Sequence, residues 1–327
     1  MNAVPMELVC PAGTPAALTA AIEAGADAVY FGFRDRTNAR NFPGLNFSEK
    51  ELAEGIQTCK AKGARPMIAI NTYPDAGDDS LWRRNVDVCA EAGAGAVILC
   101  DMGLAGYAAK RHPDLRLHLS VQASASNAPS VKFYRDAFNI RRVVLPRVLT
   151  VEQIAALIRA VPDMETEVFV FGGLCVMAEG RCSMSGYATG ISPNKDGACS
   201  PASHVRYEEH GEIMTSRLGN FTLNRFGAGE QAGYPTPCKG RYRVMGREMH
   251  LFEDPCSLDA TPLLPEFAKA GVTALKVEGR QRGKAYVAQV VKTLKAAIAG
   301  EATDAAASRP FMEGAAATTG VYAGTWH

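Results

Sequence analysis

Four cysteines stand where chemistry is most plausible in this chain. Cys175 and Cys182 flank Gly180 in LCVMAEGRC, Cys199 lies in DGACSP, and Cys238 lies in TPCKGRY. Six, sixteen and thirty-eight residues separate them in turn. Thiolates are soft donors that hold zinc or iron–sulfur centres, but a free cysteine is also an ordinary small core residue. Spacing leaves both readings open and names no metal. There is no C-x-x-C pair of the kind usual in structural zinc sites, which weakens zinc without excluding it. A regular helix from Cys175 to Cys182 would separate them by about 10.5 Å along its axis. That is too far for one compact centre, so the segment must bend, and Gly180 permits a bend. Cys10, Cys59, Cys89 and Cys100 fall in strand or helix patterns and read as core, while Cys256 is ambiguous.

The elements that must position these thiols form a repeat. Val168–Phe171 is apolar at every position and reads as a buried strand ending at Gly172-Gly173. Similar runs occur at Met6–Cys10, Asp27–Phe33, Pro66–Ile70, Ala94–Cys100, Leu115–Val121, Arg142–Leu145 and Thr273–Val277. Between them lie helical patterns: one after Thr14, one from Ser48 to about Gly63 with Glu51 completing a capping box, then 80–93, 103–111, 128–137 and 151–160. Leu258–Ala270 and Ala285–Ala299 also read as helices. Eight strands in units of about 25–30 residues predict an α/β fold, a closed (β/α)8 TIM-like barrel over 1–300. An open doubly wound sheet is the alternative. Residues 183–256, rich in Gly, Pro, Ser and Asn, form an irregular cysteine-bearing insertion after strand seven. Residues 301–327 form a tail, of which Val321, Tyr322 and Trp326 are candidates to dock on the body. In such a barrel the loops after the strands share one face, where chemistry is done.

The 327 residues are 47% hydrophobic and 21% charged, with net charge +1. That suits a globular protein with a large core, and it gives no overall electrostatic footprint for nucleic acid. No apolar run approaches a membrane span. MNAVPMELVCPAG lacks the charged and apolar regions of a secretory signal. Nine cysteines argue against a disulfide framework, so reduced thiols in the cytoplasm are expected.

The segment EVFVFGGLCVMAEGRCSMSG, followed by ACSP and CKGRY, resembles the signature of the collagenase-like "peptidase" family. NARNFPGLNF, SVQASASN, RVVLPRVLT and KVEGRQR extend the likeness over almost the whole chain. The resemblance implies a [4Fe-4S] cluster held by Cys175, Cys182, Cys199 and Cys238. It also implies O2-independent hydroxylation of the ubiquinone precursor ring, in a heterodimer with a related UbiV-like protein, with prephenate as hydroxyl donor. Other members of the family hydroxylate RNA bases. A prenylated ring would further call for an apolar entry or a lipid-carrier protein.

Prephenate carries two carboxylates, and the planar fork of Arg pairs with a carboxylate through two hydrogen bonds. Arg40, Arg147, Arg280 and Arg282 stand at expected strand ends. Singly, each reads as a loop-bracing ion pair; converging on one barrel mouth, they favour an anionic ligand. Asn38, Asn71, Ser120 and Gln122 lie at or beyond strand ends, placed to orient a polar ligand. Glu278 precedes Gly279-Arg280 and is the candidate acid or base, or else a partner for Arg280. Glu167 opens its strand and reads as structural. The six histidines show no metal-ligand spacing. A protease reading lacks G-x-S-x-G and H-E-x-x-H, and a non-catalytic scaffold is the remaining alternative.

Overall fold

In a computed structural model, which describes residues 6–175, 177–230, 232–301, 309–313 and 316–324, the apolar runs become the staves of a barrel. The first seven are β1 (Glu7–Pro11), β2 (Ala28–Gly32), β3 (Arg65–Ile70), β4 (Ala96–Leu99), β5 (Leu117–Leu119), β6 (Ile140–Val144) and β7 (Glu165–Gly173). Helices α1 (Pro15–Glu23), α2 (Glu49–Ala61), α3 (Ser80–Glu91), α4 (Met102–Arg111), α5 (Ala128–Phe138) and α6 (Val151–Ala160) return the chain between them. Their starts are chemically marked. Thr14 accepts a hydrogen bond from Ala17 N, and Ser48 with Glu51 and Thr150 with Gln153 form full capping boxes.

The insertion opens with α7 (Met184–Thr189) and carries more order than its composition announces. β8 (Val205–His210), β9 (Ile213–Leu218) and β10 (Phe221–Phe226) make an antiparallel meander, and β11 (Arg241–Val244) and β12 (Arg247–His250) a hairpin. About half of these strand residues are exposed, so the apolar alternation that betrays a half-buried strand is faint.

The helix expected over Leu258–Ala270 is shorter. β13 (Ser257–Asp259) is a strand antiparallel to the end of β7, and α8 spans only Leu264–Ala270. Pro262 and Pro265 explain the difference, because each lacks an N–H and restricts the residue before it. Ser257 pairs with Gly173, so the insertion leaves and re-enters the barrel at one point.

β14 (Ala274–Val277) then pairs in parallel with both β1 and β7 and closes the ring. The long α9 (Lys284–Ile298) packs on α1. β15 (Ala317–Thr318) pairs with β13, and Tyr322 is buried with its ring 5.1 Å from that of Phe267. Val321 is buried as well, while Trp326 lies outside the described residues.

Strand alternation divides the barrel interior from its outer shell. Leu8, Val29, Phe31 and Ile68 face the helices, while Val9, Tyr30, Met67 and Ile98 point inward. The lower interior is ionic. Arg142 donates to Glu7 (2.5 Å), Glu165 (2.7 Å) and Glu167 (3.1 Å), and Lys276 donates to Glu167 (2.6 Å). Glu167 is thus a buried structural carboxylate, held ionised because Lys276 and Arg142 outweigh the cost of its burial.

Candidate active site at the barrel mouth

β5 is shorter than its apolar run because Ser120 Oγ accepts from Gln122 N (3.2 Å), turning the chain into a 3-10 turn at Val121–Ala123. That turn brings Ser120 and Gln122 to the C-terminal mouth of the barrel. There a narrow cleft opens, with about 50 Å3 of free internal space. Ala69, Ile98, Val144 and Phe169 supply an apolar floor. Four cations (Arg40, Arg147, Lys276 and Arg280) and two carboxylates (Glu179 and Glu278) line it, so the balance favours an anion.

The polar groups are tightly braced. Asn38 is fully buried; its Oδ1 accepts from Arg40 N (3.1 Å) and from the Arg280 guanidinium, and its Nδ2 donates to Asn46 Oδ1 (2.8 Å). Asn71 Oδ1 accepts from Ala39 N (3.0 Å), and its Nδ2 donates to Ser120 Oγ (3.2 Å). Gln122 lines the cleft, and its carbonyl accepts from Tyr73 Oη (2.7 Å). Arg147 donates to Glu179 (2.8 Å) and to the Gly173 carbonyl (2.5 Å), with its guanidinium 4.3 Å over the Phe169 ring.

Glu278 is buried, receives Gly173 N (3.1 Å) and faces Arg40 Nε at 3.5 Å. Burial opposes its charge, but Arg40, Arg147 and the Gly173 N–H hold its pKa below the usual carboxylate value. At neutral pH it is therefore a base or anion partner, not an acid.

Arg280 differs from the other cations. It is 4% exposed, yet no carboxylate lies within ion-pair distance among the described residues. Burial, reinforced by Arg40, pulls its pKa down to about 10. Arg282 sits apart: it is exposed, lies 5.4 Å over the Tyr286 ring and does not line the cleft.

The cysteine segments cover this mouth. Glu179 and Gly180 rest on the β5 turn, where Ser124 Oγ bonds the Glu179 carbonyl. The segment leading to Cys199 docks on the β2 and β3 loops through Asn41 N to Gly197 O (3.0 Å) and Tyr73 N to Asn194 O (3.1 Å). The four sulfurs are electrostatic neighbours. Cys199 acts on Cys175 and Cys238, Cys182 acts on Cys199, and Cys175 acts on Cys238. Burial pushes the Cys175 thiol up to about 11 despite Arg147, and raises Cys199 and Cys238 as well. Cys10, Cys59, Cys89 and Cys100 are buried in the body, as their patterns predict.

Two lining residues escape the sequence reading. Lys276 is the charged residue in TALKV, an otherwise apolar strand, and Glu179 is the one acid between Cys175 and Cys182. Each carries a faint signal: a charge placed where a neutral residue is expected.

The model of peptidase family U32 matches residues 13–318. The chain belongs to that family. Its relatives include tRNA hydroxylation protein P of Escherichia coli K12, 33% identical over 93% of this chain and 69% of the relative. A collagenase of Porphyromonas gingivalis W83 is 28% identical over 91% of this chain and 66% of its own length. The E. coli 23S rRNA 5-hydroxycytidine C2501 synthase is 31% identical over 87% of this chain but only 38% of the relative. No helix among the described residues is long and apolar enough to cross a membrane.

Proposed function

We propose that the chain is the iron–sulfur subunit of an O2-independent hydroxylase of ubiquinone biosynthesis. In this reading it works with a UbiV-like partner in the cytoplasm and takes the hydroxyl from prephenate. A lipid-carrier protein is a candidate to present the prenylated ring. The motif set resembles that of the ubiquinone biosynthesis protein UbiU. The observation that carries the reading is Arg280, a buried cation with no carboxylate partner among the described residues, in the cleft beside which the segments bearing Cys175, Cys182 and Cys199 dock.

Four thiolates are the donor set that a [4Fe-4S] cluster takes, one cysteine on each iron. Cys175, Cys182, Cys199 and Cys238 would hold it, and when bound it supplies one-electron transfer. Raised thiol pKa values are offset on ligation, because a coordinating thiol is deprotonated.

The protein's own groups then bind and orient. Arg280 and Arg40 receive carboxylate, Asn38 fixes both arginines, and Asn71 with Ser120 and Gln122 line the opposite wall. Glu278 is the ionised base beside Arg40. Among the described residues no histidine lines the cleft, which disfavours a Cys–His or Ser–His protease.

A second reading, hydroxylation of an RNA base, is favoured by the names of the tRNA and rRNA relatives. An anaerobic assay of the chain with its UbiV-like partner separates them. Prephenate-dependent hydroxylation of the prenylated phenol, with no hydroxylated base in tRNA or rRNA, is expected. Hydroxylated RNA with an untouched phenol would overturn the ubiquinone reading. Arg280→Met should lower kcat/KM for prephenate roughly tenfold or more, the worth of one lost charge-assisted hydrogen bond. An unchanged value would remove Arg280 from acid binding.

A further inference from the structure

Glu179 has one carboxylate oxygen occupied and one bare. It is 5% exposed and lines the cleft. Its Oε1 receives Arg147 Nε at 2.8 Å, whereas Oε2 is shielded from solvent and has no hydrogen-bond partner among the described residues. The side chain has little freedom to seek one. Ser124 holds the Glu179 carbonyl, Gly180 lies against the Gln122 backbone, and Arg147 is pinned by the Gly173 carbonyl and the Phe169 ring. Buried acceptors in native proteins are ordinarily satisfied, and an ionised carboxylate accepts only. Because Glu179 also lines the cleft, a donor carried by the ligand would complete it. In the same cleft stand Arg40 and Arg280, the groups that suit a carboxylate.

We propose that Glu179 Oε2 accepts a hydrogen bond from a hydroxyl of the bound substrate, so that the cleft selects hydroxylated carboxylic acids. The carboxylate is held at Arg280 and Arg40, and the hydroxyl is turned toward the segment that carries Cys175 and Cys182. A carboxylic acid without a hydroxyl leaves Oε2 bare and binds more weakly. The inference rests on the reading of the cleft as an acid-binding site.

Calorimetric titration of the full chain, purified without oxygen, tests it with 4-hydroxybenzoate and benzoate as probes. The hydroxy acid should bind roughly ten- to a hundredfold more tightly, the range for a hydrogen bond to a charged group. In Glu179→Gln the amide oxygen stays with the donor Arg147, so the NH2 group faces the cleft and the hydroxyl can only accept a neutral bond from it instead of donating to a carboxylate. The preference should then shrink several-fold, while both acids gain from the lost negative charge. Arg280→Met should weaken both acids alike. Equal binding of both acids to the wild-type protein would overturn the inference and leave the acid site standing. No binding of either would overturn the acid-binding reading and this inference with it. Retention of the preference in Glu179→Gln would also overturn it. If that variant fails to fold by circular dichroism, Glu179→Asp, which withdraws the oxygens by one methylene, should show the same loss.

Discussion

Arg142→Met will cost the fold about 3–5 kcal/mol, the usual penalty for removing one member of a buried ionic cluster. Arg142 is 3% exposed at its side chain and serves three carboxylates. Two of them keep other partners, Glu7 with Arg65 and Glu165 with Arg116. Glu167, completely buried, keeps Lys276 as its one cation partner among the described residues. The loss of one of its two buried cation partners dominates the cost. Denaturant unfolding should show a lower midpoint at an unchanged slope. Combining Arg142→Met with Glu167→Gln should not recover the loss, because Lys276, buried beside Glu167 at 2.6 Å, then loses its carboxylate. A single variant within about 0.5 kcal/mol of wild type would mean that the cluster is not ionic in solution.

The second large effect is expected at Gly180, and it is on cofactor retention rather than on the fold. Gly180 has φ +77°, and a Cβ there would stand 2.0 Å from the Gln122 carbonyl oxygen. No side chain fits without shifting the Cys175–Cys182 segment off the β5 turn. Gly190 has nearly the same φ, +76°, but nothing lies within 4 Å of its Cβ position. Gly190→Ala therefore carries the conformational penalty alone, about 1 kcal/mol. Gly180→Ala adds the clash and should lose most bound iron, while Gly190→Ala keeps it. Iron analysis of the two proteins checks this. Equal iron in both would show that the docking of this segment does not matter to the centre.

Much of this architecture is legible in the chain because local rules dominate it. Strands buried on both faces read as short apolar runs, and Thr14, Ser48 and Thr150 announce helices through side-chain caps that act within three residues. The mouth is less legible, because its contacts join residues far apart. Arg147 and Glu179 meet across 32 positions, and Arg280 and Asn38 across 242. Arginine spacing therefore cannot tell Arg280, buried and free of carboxylates, from Arg282, which lies outside on Tyr286. The same limit hides Lys276, whose role depends on Glu167 on the neighbouring strand, 109 positions away in sequence. At Leu258–Ala270 helical apolar spacing overrode two prolines, and the prolines decided the outcome.

The account depends most on what Cys175, Cys182, Cys199 and Cys238 hold. The direct measurement is iron, acid-labile sulfide, zinc and visible spectrum on protein purified without oxygen, beside Cys175→Ala. About four irons and four sulfides per chain, with broad sulfur-to-iron absorbance, are expected, and the variant should lose both. Zinc without sulfide, or no metal in either protein, would contradict the cluster and the redox reading built on it.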